Sequence, residues 1–197
     1  MSLPEFTGGV LAGGASTRMG RSKAGLSLGG ETLLGRQCRL LRDAGAAEIW
    51  VSLHPDRPLT VPLPPEVRSV DDADPDAGPL GGVERLLQVV RTEFLLLVAV
   101  DLPQLETGFL KELVGRTTPG VGVVPWGAGD LEALAAVYPR HGGSRLRDWL
   151  RQGGRAARGF CQVGLDEGWL QAWPVPPEAA VCLLNWNRPD DWPGAGR

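Results

Sequence analysis

The sequence predicts an α/β domain built on a largely parallel sheet. Short apolar runs alternate with segments whose apolar residues recur at helical spacing. One run, FLLLVAV at 94–100, is apolar without interruption, the mark of a strand buried on both faces. Glycine- and aspartate-rich stretches follow the strands, where an open sheet gathers its ligands.

A first strand ends near Leu11 and runs into the glycine loop LAGGASTRMGRSK. Leu33, Leu34, Cys38, Leu41 and Ala44 recur at helical spacing, which predicts a helix over 31–44, with Gly45 as its C-terminal cap. EIWVSL (48–53) and EVRSV (66–70) read as the second and third strands, joined by the proline-dense connection 54–67. A helix over 80–91 leads into the central strand 94–100, and Asp101 follows at once. Beyond it come a helix at 107–115, a strand at 121–126 and a strand LEALAAVY at 131–138, bounded by GAGD and Pro139. A helix at 144–152 and short strands near 158–163 and 180–184 complete the reading. Nothing reads as a linker or repeat, so residues 1–197 are expected to form one domain.

Composition narrows the function. Twenty Lys and Arg against 23 Asp and Glu give a net charge of −3, so no broad basic face advertises nucleic acid or anionic lipid. Any anion site must be local. Cys38, Cys161 and Cys182 are scattered and odd in number, against a disulfide framework or a cysteine zinc site. The N-terminus lacks the pattern of a secretory signal, and the longest apolar run is far short of the roughly 20 residues that span a bilayer. A cytoplasmic protein is expected.

Three stretches sit where strands end: LAGGASTRMGRSK, DDADPDAGPLGG and DLPQL. Gly13 and Gly14 let backbone N–H groups approach an anion closely, and Arg18 and Lys23 add a forked and a point charge. The loop is neither GxxxxGK[ST] nor GxGxxG, and read alone it is equally a solvated turn. Lys23 is one of only two lysines in a chain that otherwise uses arginine. Asp101, at the rim of the most buried strand, is by itself a turn former; beside a polyphosphate loop it becomes a Mg²⁺ ligand. Of Asp71, Asp72, Asp74 and Asp76, one or two at most should face a ligand, since four carboxylates would repel a nucleotide. Gly78, Gly81 and Gly82 permit close approach of a base or ribose. Asn185 and Asn187 fall on one side of an extended segment and together carry four amide donors. His54 and His141 have no ligand spacing, and no serine has a histidine partner for a hydrolase triad.

Together, LAGGASTRMGRSK, DAGPLGG, VAVDLPQL and NWNRPDD resemble the molybdenum cofactor guanylyltransferases, in order and spacing over nearly the whole chain. The resemblance implies a three-layer α/β/α, Rossmann-like nucleotidyltransferase fold. It implies transfer of GMP from GTP to the terminal phosphate of molybdopterin, with Mg²⁺ as cofactor and pyrophosphate released. By position, Leu11, Ala12, Gly13 and Gly14 would meet the nucleotide, with Arg18 and Lys23 on its phosphates. Asp101 would hold the metal and act with Arg18 and Lys23 in catalysis. Ser52, Asp71 and Gly78 would face the nucleoside, and Asn185 and Asn187 the molybdopterin. Molybdoenzymes or other proteins of cofactor biosynthesis are the protein partners it suggests.

The chain departs from the family pattern at Ser22, where aspartate is common, at Ser52, where asparagine is common, and at Arg188, where threonine is usual. LEALAAVY also lacks a histidine and a proline that some members carry. A related enzyme with another base or acceptor, such as a cytidylyltransferase or a sugar-phosphate nucleotidyltransferase, and a non-catalytic nucleotide-binding adaptor are the competing readings.

Overall fold

A computed structural model describes residues 3–13, 23–72, 74–127 and 129–186. Strand β1 (Phe6–Leu11) opens the chain; β2 (Ser27–Leu28) and β3 (Glu31–Thr32) form a small antiparallel pair leading into helix α1 (Leu33–Ala44). Thr32 caps α1 by accepting from Gly35 N at 3.1 Å, and Gly45 ends it at φ 103°, left-handed backbone that favours glycine. β4 (Ile49–Leu53), β5 (Arg68–Asp71), α2 (Pro79–Val89), β6 (Phe94–Ala99) and α3 (Thr107–Gly115) follow as the spacing predicts.

The second half holds β7 (Gly122–Gly127), β8 (Asp130–Leu131), β9 (Ala135–Pro139), α4 (Gly142–Arg151), α5 (Ala157–Asp166) and β10 (Leu170–Pro174). Three expectations need correcting here. LEALAAVY is not one strand: a turn at 132–134, with Ala135 N donating to Glu132 O, divides it between β8 and β9. The strand expected near 158–163 is helix α5, in which Phe160, Cys161 and Gly164 are buried at helical spacing. The strand expected near 180–184 is a 3-10 helix over Pro177–Leu183, opened by Pro177, whose fixed φ suits a first helical turn. Edge strand β10 has no counterpart in the sequence reading, because prolines crowd its C-terminal end and only Leu170 and Trp173 are buried along it.

The strands lie in the order β10-β7-β9-β6-β1-β4-β5, with β8 beside β7. β6, β1, β4 and β5 are mutually parallel, and β9 runs antiparallel to both β6 and β7. Every residue of β6 is buried, and its side chains alternate between two cores. Phe94, Leu96 and Val98 pack with α1 and α3, while Leu95 and Leu97 pack with α2 and α5. Each such leucine contributes about 1.5–3 kcal/mol by leaving water. The result is a sheet covered by helices on both faces, the three-layer arrangement expected. No helix among the described residues is long and apolar enough to cross a membrane.

All three cysteines are free and buried. Burial pushes the Cys38 and Cys161 thiols up to about 11, and raises Cys182 as well. Thiolate is the reactive form, so at pH 7.5 the folded protein should resist alkylation by iodoacetamide at all three, and take up three labels only once denatured. Rapid labelling of the native protein would contradict this packing.

Candidate active site

From β1 the chain winds through β4 to β5 on one side, then crosses back to β6 on the other. The order in which strands are added therefore reverses between the parallel neighbours β1 and β6, and the crevice beyond the carboxyl ends of these strands is where an open α/β sheet binds ligands. The register places the expected residues along that edge. Leu11 pairs with Ala99 on one side and Ser52 on the other, and Leu53 pairs with Asp71. Asp101 and Gly13 just beyond β6 and β1, and Ser52 and the Asp71–Asp72 pair at the ends of β4 and β5, thus line four neighbouring strand ends, a width of three strand spacings or about 14 Å.

At the β6 end, Lys23 Nζ donates to Asp101 Oδ2 at 2.9 Å. These two residues are 78 positions apart, and their side chains are only 14% and 24% exposed. Both are anchored through their neighbours. Lys23 begins a 3-10 turn whose next residue, Ala24, is fully buried, and Leu26 N donates back to Lys23 O at 3.0 Å. The chain after Asp101 is pinned by α1: Gln37 Nε2 donates to Leu102 O, Arg36 Nε to Pro103 O, and Arg36 Nη2 to Leu105 O. Trp186 N donates to Asp101 O at 3.0 Å, which brings the C-terminal segment and the exposed Asn185 to the same edge.

Over β1, Ala12 N donates to Ser52 O and Val100 N to Leu11 O, so the loop leaves the sheet held from both sides. A Cβ on Gly13 would lie 3.0 Å from His54 N, so the glycine lets the loop start hard against β4. Gly14, Arg18, Ser22, Asn187 and Arg188 lie outside the described residues.

At the β5 end, Ser52 is 1% exposed and its hydroxyl donates to Asp72 Oδ1. Asp71, the residue singled out from sequence, is exposed, while Asp72 is half-buried. Burial raises the Asp72 pKa above the usual carboxylate value, against the lowering effects of the Ser52 hydrogen bond and of His54. The sequence resemblance picks Asp71 from the four aspartates; the signal that sets Asp72 apart is Ser52, a hydroxyl on a buried strand end that needs an acceptor.

The N-terminus of α2 meets the same edge. A family model described as a MobA-like NTP transferase domain matches residues 8–165, from β1 through most of α5. The chain belongs to this family. The probable molybdenum cofactor guanylyltransferase of Opitutus terrae is 36% identical over 189 residues, covering 94% of this chain and 92% of that protein. Among solved structures, a Methanothermobacter nucleotidyl transferase superposes with a TM-score of 0.75 at 18% identity, over 95% of this chain and 94% of that one. Molybdopterin-guanine dinucleotide biosynthesis protein A from Archaeoglobus fulgidus gives 0.69 at 20%, over 94% of each chain. These two likenesses establish the nucleotidyltransferase fold.

Within this MobA-like domain, Gly78 fixes how α2 enters the site. Its φ of 62° and ψ of −145° lie where only glycine is at ease, and Pro79 then starts the helix. Gly78→Ala should lower unfolding free energy by about 1–3 kcal/mol, measured by urea denaturation. A wild-type midpoint would mean that this turn relaxes without strain.

Proposed function

We propose that the protein transfers GMP from GTP to the terminal phosphate of molybdopterin, releasing pyrophosphate and forming the guanine dinucleotide cofactor. The observation that carries this reading is the Lys23–Asp101 pair at the carboxyl end of β6, beside β1, where the winding of the chain across the sheet reverses. The similarity to guanylyltransferases over nearly the whole chain supports the base and the acceptor.

In this reading the nucleotide lies along the sheet edge, base toward β5 and phosphates toward β6. Leu11, Ala12, Gly13 and Gly14 meet it through backbone groups, and Ser52, Asp71 and Gly78 border the nucleoside. The acceptor phosphate is already a nucleophile, so no general base is required. One of its oxygens forms a bond to the α-phosphorus, and the bond from that phosphorus to the bridging oxygen breaks. The pyrophosphate departs with that electron pair. Lys23 and Arg18 neutralise charge on the leaving group, and Asn185 and Asn187 orient the acceptor. Bringing two anions into line is the main task, and positioning with charge neutralisation accomplishes it.

Asp101 fits Mg²⁺ as an ion held by one carboxylate and completed by substrate phosphates and water. The ion, when bound, supplies Lewis-acid stabilisation of the phosphates. Molybdoenzymes or other cofactor-biosynthesis proteins are the expected recipients of the product.

Incubation with molybdopterin, Mg²⁺ and each of GTP, CTP, UTP and ATP, followed by mass spectrometry, tests the assignment. The guanine dinucleotide should form from GTP; product from CTP alone would replace the guanylyl reading with a cytidylyl one. Nucleotide binding without pyrophosphate release would favour an adaptor.

A further inference from the structure

Arg91 and Arg140 stand apart from the other arginines. Among the described residues every other arginine donates to a carboxylate, an amide oxygen or a main-chain oxygen, and the side chains of these two do not. Both line one cavity of about 340 Å³, together with Thr92, Glu93, Gly120 and His141. The register brings them there. β9 runs antiparallel to β6 and pairs Pro139 with Phe94, so Arg140 emerges beside Glu93, close to Arg91. This is the amino end of β6. The six residues of that strand, at about 3.3 Å each, set the cavity roughly 20 Å from the edge that carries Asp101.

The walls of the cavity are tied to one another. Arg140 N donates to Glu93 O at 2.8 Å, and Gly120 N to Glu93 Oε1 at 2.7 Å. Gly120 O lies 2.9 Å from His141 Nε2, and Arg145 Nη1 lies 3.0 Å from His141 Nδ1. A guanidinium only donates, so Nδ1 accepts and Nε2 carries the hydrogen given to Gly120 O. Both nitrogens of His141 are spent on the frame, as are Glu93 Oε1 and the Thr92 hydroxyl, which donates to Phe94 O. What remains for a ligand is the two guanidinia and Glu93 Oε2, which makes no hydrogen bond among the described residues.

We propose that this cavity binds a phosphate-bearing small molecule, with its phosphate between Arg91 and Arg140 and a hydroxyl or amino group donating to Glu93 Oε2. Two like charges that share a cavity repel, and an anion between them turns the repulsion into attraction. Phosphate suits the pair because each planar guanidinium can donate to two oxygens at once. The volume sits at the lower end of small-molecule sites and exceeds what inorganic phosphate fills, so it has room for an organic body as well. Glu93 adds selectivity. Inorganic phosphate, its oxygens committed to the guanidinia, leaves that carboxylate facing like charge, whereas a hydroxylated ester offers it a donor. The site lies at the opposite edge of the sheet from the proposed chemistry and does not depend on the guanylyl reading.

Glycerol phosphate and inorganic phosphate are the probes. Each is titrated calorimetrically into wild type, into a double variant carrying Arg91→Gln and Arg140→Gln, and into Lys23→Ala as a marker of the catalytic edge. Both arginines are exposed, so the double variant should fold, and circular dichroism checks this. Wild type should bind glycerol phosphate about tenfold or more tightly than inorganic phosphate. The double variant should bind glycerol phosphate about tenfold or more weakly than wild type, and Lys23→Ala should bind it as wild type does. No binding by wild type overturns the proposal. So does binding that survives in the folded double variant and is lost in Lys23→Ala, which would assign the ligand to the catalytic edge. Equal affinity for the two probes overturns the role given to Glu93.

Discussion

Replacing Asp101 with asparagine is expected to lower kcat/KM for nucleotidyl transfer by about 10²–10³-fold in a protein that remains folded. The carboxylate lies just beyond β6, a strand buried along its whole length, and accepts from Lys23 Nζ at 2.9 Å. Asparagine preserves shape but removes the charge that would hold a cation against the phosphates. The surrounding chain has its own anchors in Gln37, Arg36 and the Trp186 N–H, all bonded to main-chain oxygens, and these survive the substitution. Lys23 is largely buried and loses its counter-charge, while the asparagine oxygen still accepts its hydrogen bond, so the substitution should cost about 1–3 kcal/mol of stability. Steady-state pyrophosphate release and a urea titration on the same preparations check both halves. Wild-type turnover in the variant would remove Asp101 from the chemistry.

The second large effect is expected from Gly82→Val. There is no room for a side chain at this point: Ser52, Leu11 and Asp72 all lie within 3.0 Å of where a Cβ would stand. Overpacking of this kind costs about 1–3 kcal/mol, and here the strain falls on the edge that positions the nucleoside. Nucleotide affinity should drop by at least about tenfold while the sheet still forms, since β1 and β6 pair elsewhere along their length. Gly108→Ala is the internal control, because nothing lies within 4 Å of a Cβ there. It should leave affinity at the wild-type value and the midpoint at or slightly above it, because alanine favours the helix more than glycine. Undiminished nucleotide binding by Gly82→Val would mean that α2 does not shape the site.

What the sequence reveals depends on whether the cause is local. β6 and the helix over 107–115 were legible because unbroken apolar character and helical spacing are local signals, and Asp101 was legible as the residue after that strand. The Lys23–Asp101 pair spans 78 positions, and only the winding of the sheet about β1 brings its members together. α5 was misread because its buried face is narrow: Phe160, Cys161 and Gly164 carry it, and two glycines dilute its helical propensity. β10 escaped because its two buried residues, Leu170 and Trp173, are three apart and enter different cores, so no period-two alternation shows, and the strand ends at Pro174. Among the aspartates, Asp72 differs from Asp71 only through Ser52, twenty positions away in sequence and on the neighbouring strand.

The central claim, that the α-phosphate moves from GTP to molybdopterin at the edge between β6 and β5, is tested most directly by following label. Parallel reactions with α-³²P-GTP and γ-³²P-GTP, molybdopterin and Mg²⁺ should place the α label in the pterin dinucleotide and the γ label in pyrophosphate. Both transfers should be lost in Asp101→Asn. Alpha label that stays in intact GTP bound to the protein, or γ label that appears on the pterin, would contradict the account.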